Sequence, residues 1–94
     1  MISPLPCPAC GCDYLHHDEV KVFCRPEDAS TVTETTVSDH GCTVDETDGE
    51  HNPSDRRGGI SIRFWCEQCS ARPVLQIAQH KGASLVSWQN GRAQ

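Results

Sequence analysis

Hydrophobic and polar residues alternate with a period of two in several short runs of the chain, and no run shows the period of about 3.6 that marks an amphipathic helix. The clearest alternation is Ile60, Ile62, Phe64 and Cys66 against Ser61, Arg63 and Trp65, which predicts a strand with one face turned inward. Val20-Lys21-Val22-Phe23-Cys24 repeats the pattern, and Val20, Val22 and Cys24 share a face, so Cys24 is expected in the core. Near the C-terminus, Val74–His80 and Ser84–Trp88 flank Lys81-Gly82-Ala83, a hairpin signature in which Gly82 supplies the left-handed position of a short loop. The stretch from Ser30 to Val37 is rich in Thr and Val but poor in apolar residues, and predicts an exposed or edge strand. Asp, Glu, Gly, Asn and Pro dominate from Val44 to Gly59, where a loop is expected. The pattern predicts a small all-β fold of antiparallel strands, taken as one domain over residues 1–94.

Composition changes that picture by showing how little core these strands have. Only 36% of the 94 residues are hydrophobic and 5% aromatic, and a chain this short removes a modest share of its surface from water on folding, so a covalent or metal staple is expected. Two CxxC pairs provide it: Cys7-Pro8-Ala9-Cys10-Gly11 near the start and Cys66-Glu67-Gln68-Cys69 near the end. A CxxC turn aims two sulfurs at one ion, and two such turns complete a tetrahedral shell of Cys7, Cys10, Cys66 and Cys69 around a single structural Zn2+. Pro8 fixes φ inside the first turn and Gly11 permits the reversal after it. The chain has seven cysteines; the odd number, the spacing and an N-terminus without the features of a signal peptide favour reduced thiols over disulfides. Cys12, Cys24 and Cys42 are the surplus thiols. Cys12 follows the first pair closely and Cys42 lies two residues after His40, yet four ligands already fill a zinc shell.

The CPxCG turn (residues 7–12) and the CxxC turn, each beside a short strand, resemble the zinc-ribbon class, in which two knuckles grip one zinc. That resemblance implies Cys7, Cys10, Cys66 and Cys69 as ligands and a second knuckle and hairpin over residues 60–90; between the knuckles this chain carries a long acidic insert over residues 26–59. The segments Phe64-Trp65-Cys66-Glu67-Gln68-Cys69, Ile77-Ala78-Gln79-His80-Lys81-Gly82 and Val86-Ser87-Trp88 also resemble small uncharacterised ribbon proteins of bacteriophages and prophage-bearing bacteria. This second likeness covers about half of the chain and brings no activity with it. Fifty-five residues separate Cys10 from Cys66, more than a minimal ribbon holds.

Charge then divides the chain. Residues 26–50 hold eight acidic side chains and no Lys or Arg, whereas residues 51–94 hold six basic and two acidic ones, within a net charge of −5. The acidic stretch, with Glu34, Asp39, Asp45, Glu46, Asp48 and Glu50, forms a surface suited to a basic partner protein, and Trp65 and Trp88 are aromatic anchors for such a contact. Combined with the phage likeness, this suggests a non-enzymatic inhibitor of a host nucleic-acid-binding or defence complex such as CRISPR. The alternative is a nucleic-acid-binding ribbon of transcription or replication, using Arg56, Arg57 and Arg63 on phosphates; the acidic pI near 5.4 counts against it. A thiol redox protein is a remote third reading, since neither CxxC opens a helix. His16-His17-Asp18-Glu19 is expected as a solvated turn. No catalytic spacing stands out, so no enzyme is expected. A cytoplasmic location, in a bacterium or a phage-infected host cell, follows from the reduced thiols and the lack of an apolar span. A thin core and open β edges favour a homodimer.

Overall fold

The computed structural model describes residues 2–26 and 29–89. Within them the chain forms six strands and no helix: β1 (Leu15–Cys24), β2 (Val32–Ser38), β3 (Gly41–Thr47), β4 (Gly59–Cys66), β5 (Val74–His80) and β6 (Ala83–Gln89). All neighbours are antiparallel in one sheet of order β3-β2-β1-β4-β5-β6. The all-β expectation holds, and the architecture is two three-stranded meanders side by side, joined along β1 and β4. The segment between the two CxxC pairs therefore supplies β1, β2, β3 and nearly all of β4, four of the six strands, and is not an appendage.

Three local expectations are corrected. β2 is not an edge: it lies between β1 and β3, and its Val32 and Glu34 are buried. Val44–Thr47, expected in a loop, is strand, because β2 offers a full row of backbone partners from Ser38↔Gly41 to Val32↔Thr47. Polar Thr, Asp and Glu suit such an edge, where one strand side and both side-chain faces meet water. His16–Glu19, expected as a solvated turn, belongs to β1, which runs back to Leu15 along β4 with a register shift between His17 and Glu19. That bulge lets the strand carry its pairing on to Cys66.

The register sorts side chains onto two unlike faces. Glu19, Lys21 and Phe23 of β1 share a face with Val32 and Glu34 of β2 and with Gly59, Ser61 and Arg63 of β4. The opposite face collects Val20 and Val22, Val37, Val44, Ile60 and Ile62, Leu75 and Ile77, and Val86. The loop after β3 folds over the first face at the end distant from the cysteines, burying Phe23 (2% exposed) and Val32 (1%). Gly59 makes that contact fit: a Cβ there would lie 2.6 Å from Pro53 Cγ and 2.8 Å from Asn52 Oδ1. The loop is fastened by Asn52 Nδ2 donating to the Arg57 carbonyl (2.7 Å) and by the buried Ser54 hydroxyl donating to the Gln79 carbonyl (2.8 Å). Cys24, expected in the core, is exposed, because the covered face is the one Phe23 occupies.

At the other end Phe64 is buried against Trp88, ring centroids 5.8 Å apart, so Trp88 completes a small core there. The expected hairpin of β5 and β6 is present with a loop of two residues, Lys81 (φ 49°) and Gly82 (φ 82°), closed by the His80↔Ala83 pair. Among the described residues no helix is long and apolar enough to cross a membrane.

Candidate metal centre

The β1–β4 pairing draws the two CxxC turns together. It runs to Leu15↔Cys66, so the chain just before β1 lies beside the chain just after β4, and the Glu67 N–H donates to the Tyr14 carbonyl at 3.2 Å. In the first turn the Gly11 N–H donates to the Cys7 carbonyl and the Cys7 N–H to the Cys12 carbonyl, both 2.8 Å, and Gly11 takes φ 80° to close the reversal. Backbone N–H groups also point at sulfur: Ala9 at Cys7 Sγ and Gln68 at Cys66 Sγ, each 3.4 Å. Donors so placed favour thiolates.

The sulfurs of Cys7, Cys10, Cys66 and Cys69 all lie within 4.8 Å of one another, with Cys7–Cys69 at 3.9 Å and Cys10–Cys66 at 3.6 Å. Four thiolates held about 2.3 Å from a central ion form a tetrahedron with edges of about 3.8 Å, so the donor set and its spacing fit a single ion. A disulfide needs sulfurs about 2.05 Å apart, and all seven cysteines are free. Cys7 and Cys66 are buried and Cys10 is exposed, which places the centre at the surface of the sheet's end. Burial pushes the Cys66 thiol up, but the N–H groups of Gln68 and Cys69 and the neighbouring thiols outweigh it and hold Cys66 at about 6. Cys69 receives the Ala71 N–H, which lowers it, yet burial and the thiols of Cys66, Cys10 and Cys7 push it up to about 12. One sulfur thus ionises easily and makes the next harder to ionise, the pattern of a thiol cluster without positive charge, which a divalent cation held among the four would supply. Cys12 sits beside the cluster without joining the four; its Sγ accepts the Tyr14 N–H at 3.1 Å. Cys42 is exposed in β3.

Beside the second turn lies an assembly that sequence reasoning missed. The rings of His16 and Trp65 stack at 4.2 Å and 11°, and His16 Nε2 hydrogen-bonds Glu67 inside the CxxC turn. Only the cross-strand pair His16↔Trp65 brings them together, and nothing local in the sequence announces it. Trp65 keeps 38% exposure.

The remaining expected site residues scatter. Glu34 is buried and paired with Lys21 Nζ at 3.1 Å, so it is not part of an exposed acidic surface. Asp39, Asp45, Glu46, Asp48 and Glu50 are exposed along the β2–β3 turn, edge strand β3 and the loop after it. Glu27, Asp28 and Arg92 lie outside the described residues. Arg63 donates to Asp18 at 2.9 Å and lies 3.3 Å from Glu19; the Asp18 hydrogen bond favours its charged form. Arg56 and Arg57 border a small hollow of about 40 Å³ with His80 and Lys81, away from Arg63.

Fold and site together define a small all-β protein with a zinc-ribbon-like four-cysteine centre. No protein-family model, curated protein or solved structure matches the chain.

Proposed function

We propose that the chain is a zinc-stapled binding module, not an enzyme, whose exposed acidic edge engages a basic surface on a partner protein. The observation that carries the metal half of this reading is the sulfur spacing of 3.6 and 3.9 Å, which matches a zinc tetrathiolate. Such an ion has no open coordination position for water or substrate, so its work is to hold the two CxxC turns together. The partner half is supported by five carboxylates, Asp39, Asp45, Glu46, Asp48 and Glu50, gathered at one edge of the sheet with no Lys or Arg among residues 26–50. Following the likeness to phage ribbon proteins, the partner class we assign is a basic nucleic-acid-binding complex of the host, such as a defence nuclease or CRISPR complex, whose groove this edge would cover. The nucleic-acid reading has less support, because Arg63 is engaged by Asp18 and Glu19 and one ring face of Trp65 is taken by His16.

Native mass spectrometry of protein purified from cells tests both halves. One zinc per chain is expected, together with a partner retained by the wild type and lost in the variant carrying D39N, D45N, E46Q, D48N and E50Q. A chain without zinc would remove the metal reading, and equal recovery of the partner by both proteins would remove the acidic-edge reading.

A further inference from the structure

The two faces of the sheet are covered in the wrong order for a monomer. An antiparallel sheet with one wet face turns polar side chains to the water. Here the face carrying Glu19, Lys21, Glu34 and Arg63 is the one over which the loop after β3 folds. On the opposite face Phe64 is buried beside Trp88 at the cysteine end, but beyond that pair not one aliphatic side chain is buried: Val37, Val44 and Val86 are 48, 63 and 64% exposed, and Val22, Ile60 and Ile77 at its centre are only half-buried. The buried hydrophobic residues among those described are just Cys7, Phe23, Val32, Phe64 and Cys66.

We infer that this aliphatic face packs against the same face of a second copy, giving a two-fold β-sandwich. Charge permits it. Although each chain carries −5, the carboxylate and imidazole on this face lie at its margins, Glu46 on the edge strand and His17 towards the cysteine end, and its other ionisable side chains are the thiols of Cys24 and Cys42, so two copies meet with most of their carboxylates turned away. Size permits it too. Six strands of about seven residues span roughly 29 by 24 Å, or about 700 Å² in plan and more with side-chain relief, which approaches the about 800 Å² per partner of a standard stable interface. Shape favours the same occupant, because aligned sandwiches need two sheets of matching twist, and a second copy has it by identity. The contact differs from edge-to-edge pairing, which would use β3 or β6 and leave the aliphatic face wet.

Sedimentation equilibrium of the full, metal-loaded chain from micromolar to millimolar concentration tests this. Twice the 10.3 kDa chain mass is expected. The variant V37E/V86E places like charges on the face at two positions that are already exposed, so the monomer's own fold does not need the valines. It should weaken the dimer at least about tenfold while keeping its metal and its β-sheet circular dichroism. D48N/E50Q, off this face, should leave the dimer unchanged, which separates this contact from the acidic-edge binding proposed above. A wild type monomeric at every concentration, or a dimer that survives V37E/V86E, would overturn the inference.

Discussion

The two ends of the sheet are closed by different physics. At one end, Cys7 and Cys10 meet Cys66 and Cys69 from across the chain, and four sulfurs within 4.8 Å of one another are placed to share one cation. At the other, the loop after β3 settles over Phe23, Val32 and Gly59 by van der Waals fit and a few hydrogen bonds. A coordination shell is all or none, because three ligands do not hold an ion three quarters as well as four. A packed loop is graded, since each lost methyl or hydrogen bond costs its own small amount. Damage at the cysteine end should therefore abolish the fold, and damage at the loop end should only weaken it.

The largest effect is expected from Cys66→Ser, which removes a buried sulfur from the candidate metal centre. Structural zinc contributes on the order of 10 kcal/mol of apparent binding energy, comparable to the whole stability of an ordinary domain. The variant should purify without metal and lack a cooperative thermal transition, and the wild type stripped by a strong chelator should behave the same way. A folded, metal-free Cys66→Ser would break the comparison. Acid should act on this end as well, since ion uptake displaces thiol protons and affinity falls as pH falls. Zinc affinity measured by competition with a chelator should therefore weaken steadily from about pH 8 to about pH 6; an affinity indifferent to pH would show that thiolates do not hold the ion.

At the loop end, Phe23→Ala should cost about 3–5 kcal/mol, the usual loss for emptying a buried aromatic site, with the metal retained. Gly59→Ala comes next. Its Cβ would press 2.6 Å from Pro53 Cγ, so the loop must lift, at about 1–3 kcal/mol, read as a lower denaturant midpoint with an unchanged slope. If either variant lost its metal, the two ends would be one cooperative unit and not two closures of different kind.

That division also explains how far the sequence could be read. The CxxC turns were legible because the chemistry demands four sulfurs at fixed spacing, whatever lies between them. β4 and the β5–β6 hairpin were legible because Ile60–Cys66 alternates cleanly and Lys81-Gly82 is a turn signal. β3 was not, since Thr43, Val44, Asp45 and Glu46 are strand only by virtue of β2 beside them. Nor was the choice of covered face: Val20 and Val22 alternate as an inward face should, but the loop seats itself over Phe23 instead, leaving Cys24 exposed. Local pattern shows that a strand has two unlike faces, and only tertiary contact decides which of them is closed.

The smallest expected effect asks whether the cysteine end owes anything to groups other than sulfur. Glu67 lies inside the second CxxC turn and hydrogen-bonds His16, which in turn stacks on Trp65. Both side chains are nearly half exposed, 45% for His16 and 46% for Glu67, so solvent screens the pair. Glu67→Gln keeps a hydrogen-bonding oxygen in place while removing the charge, and its cost should stay below about 1 kcal/mol. Zinc affinity measured by competition with a chelator should change by less than about tenfold. A larger loss would mean that the carboxylate, through its hold on His16, fixes the orientation of the Cys66–Cys69 turn, and the ion's grip would then extend into β1 rather than end at the four sulfurs.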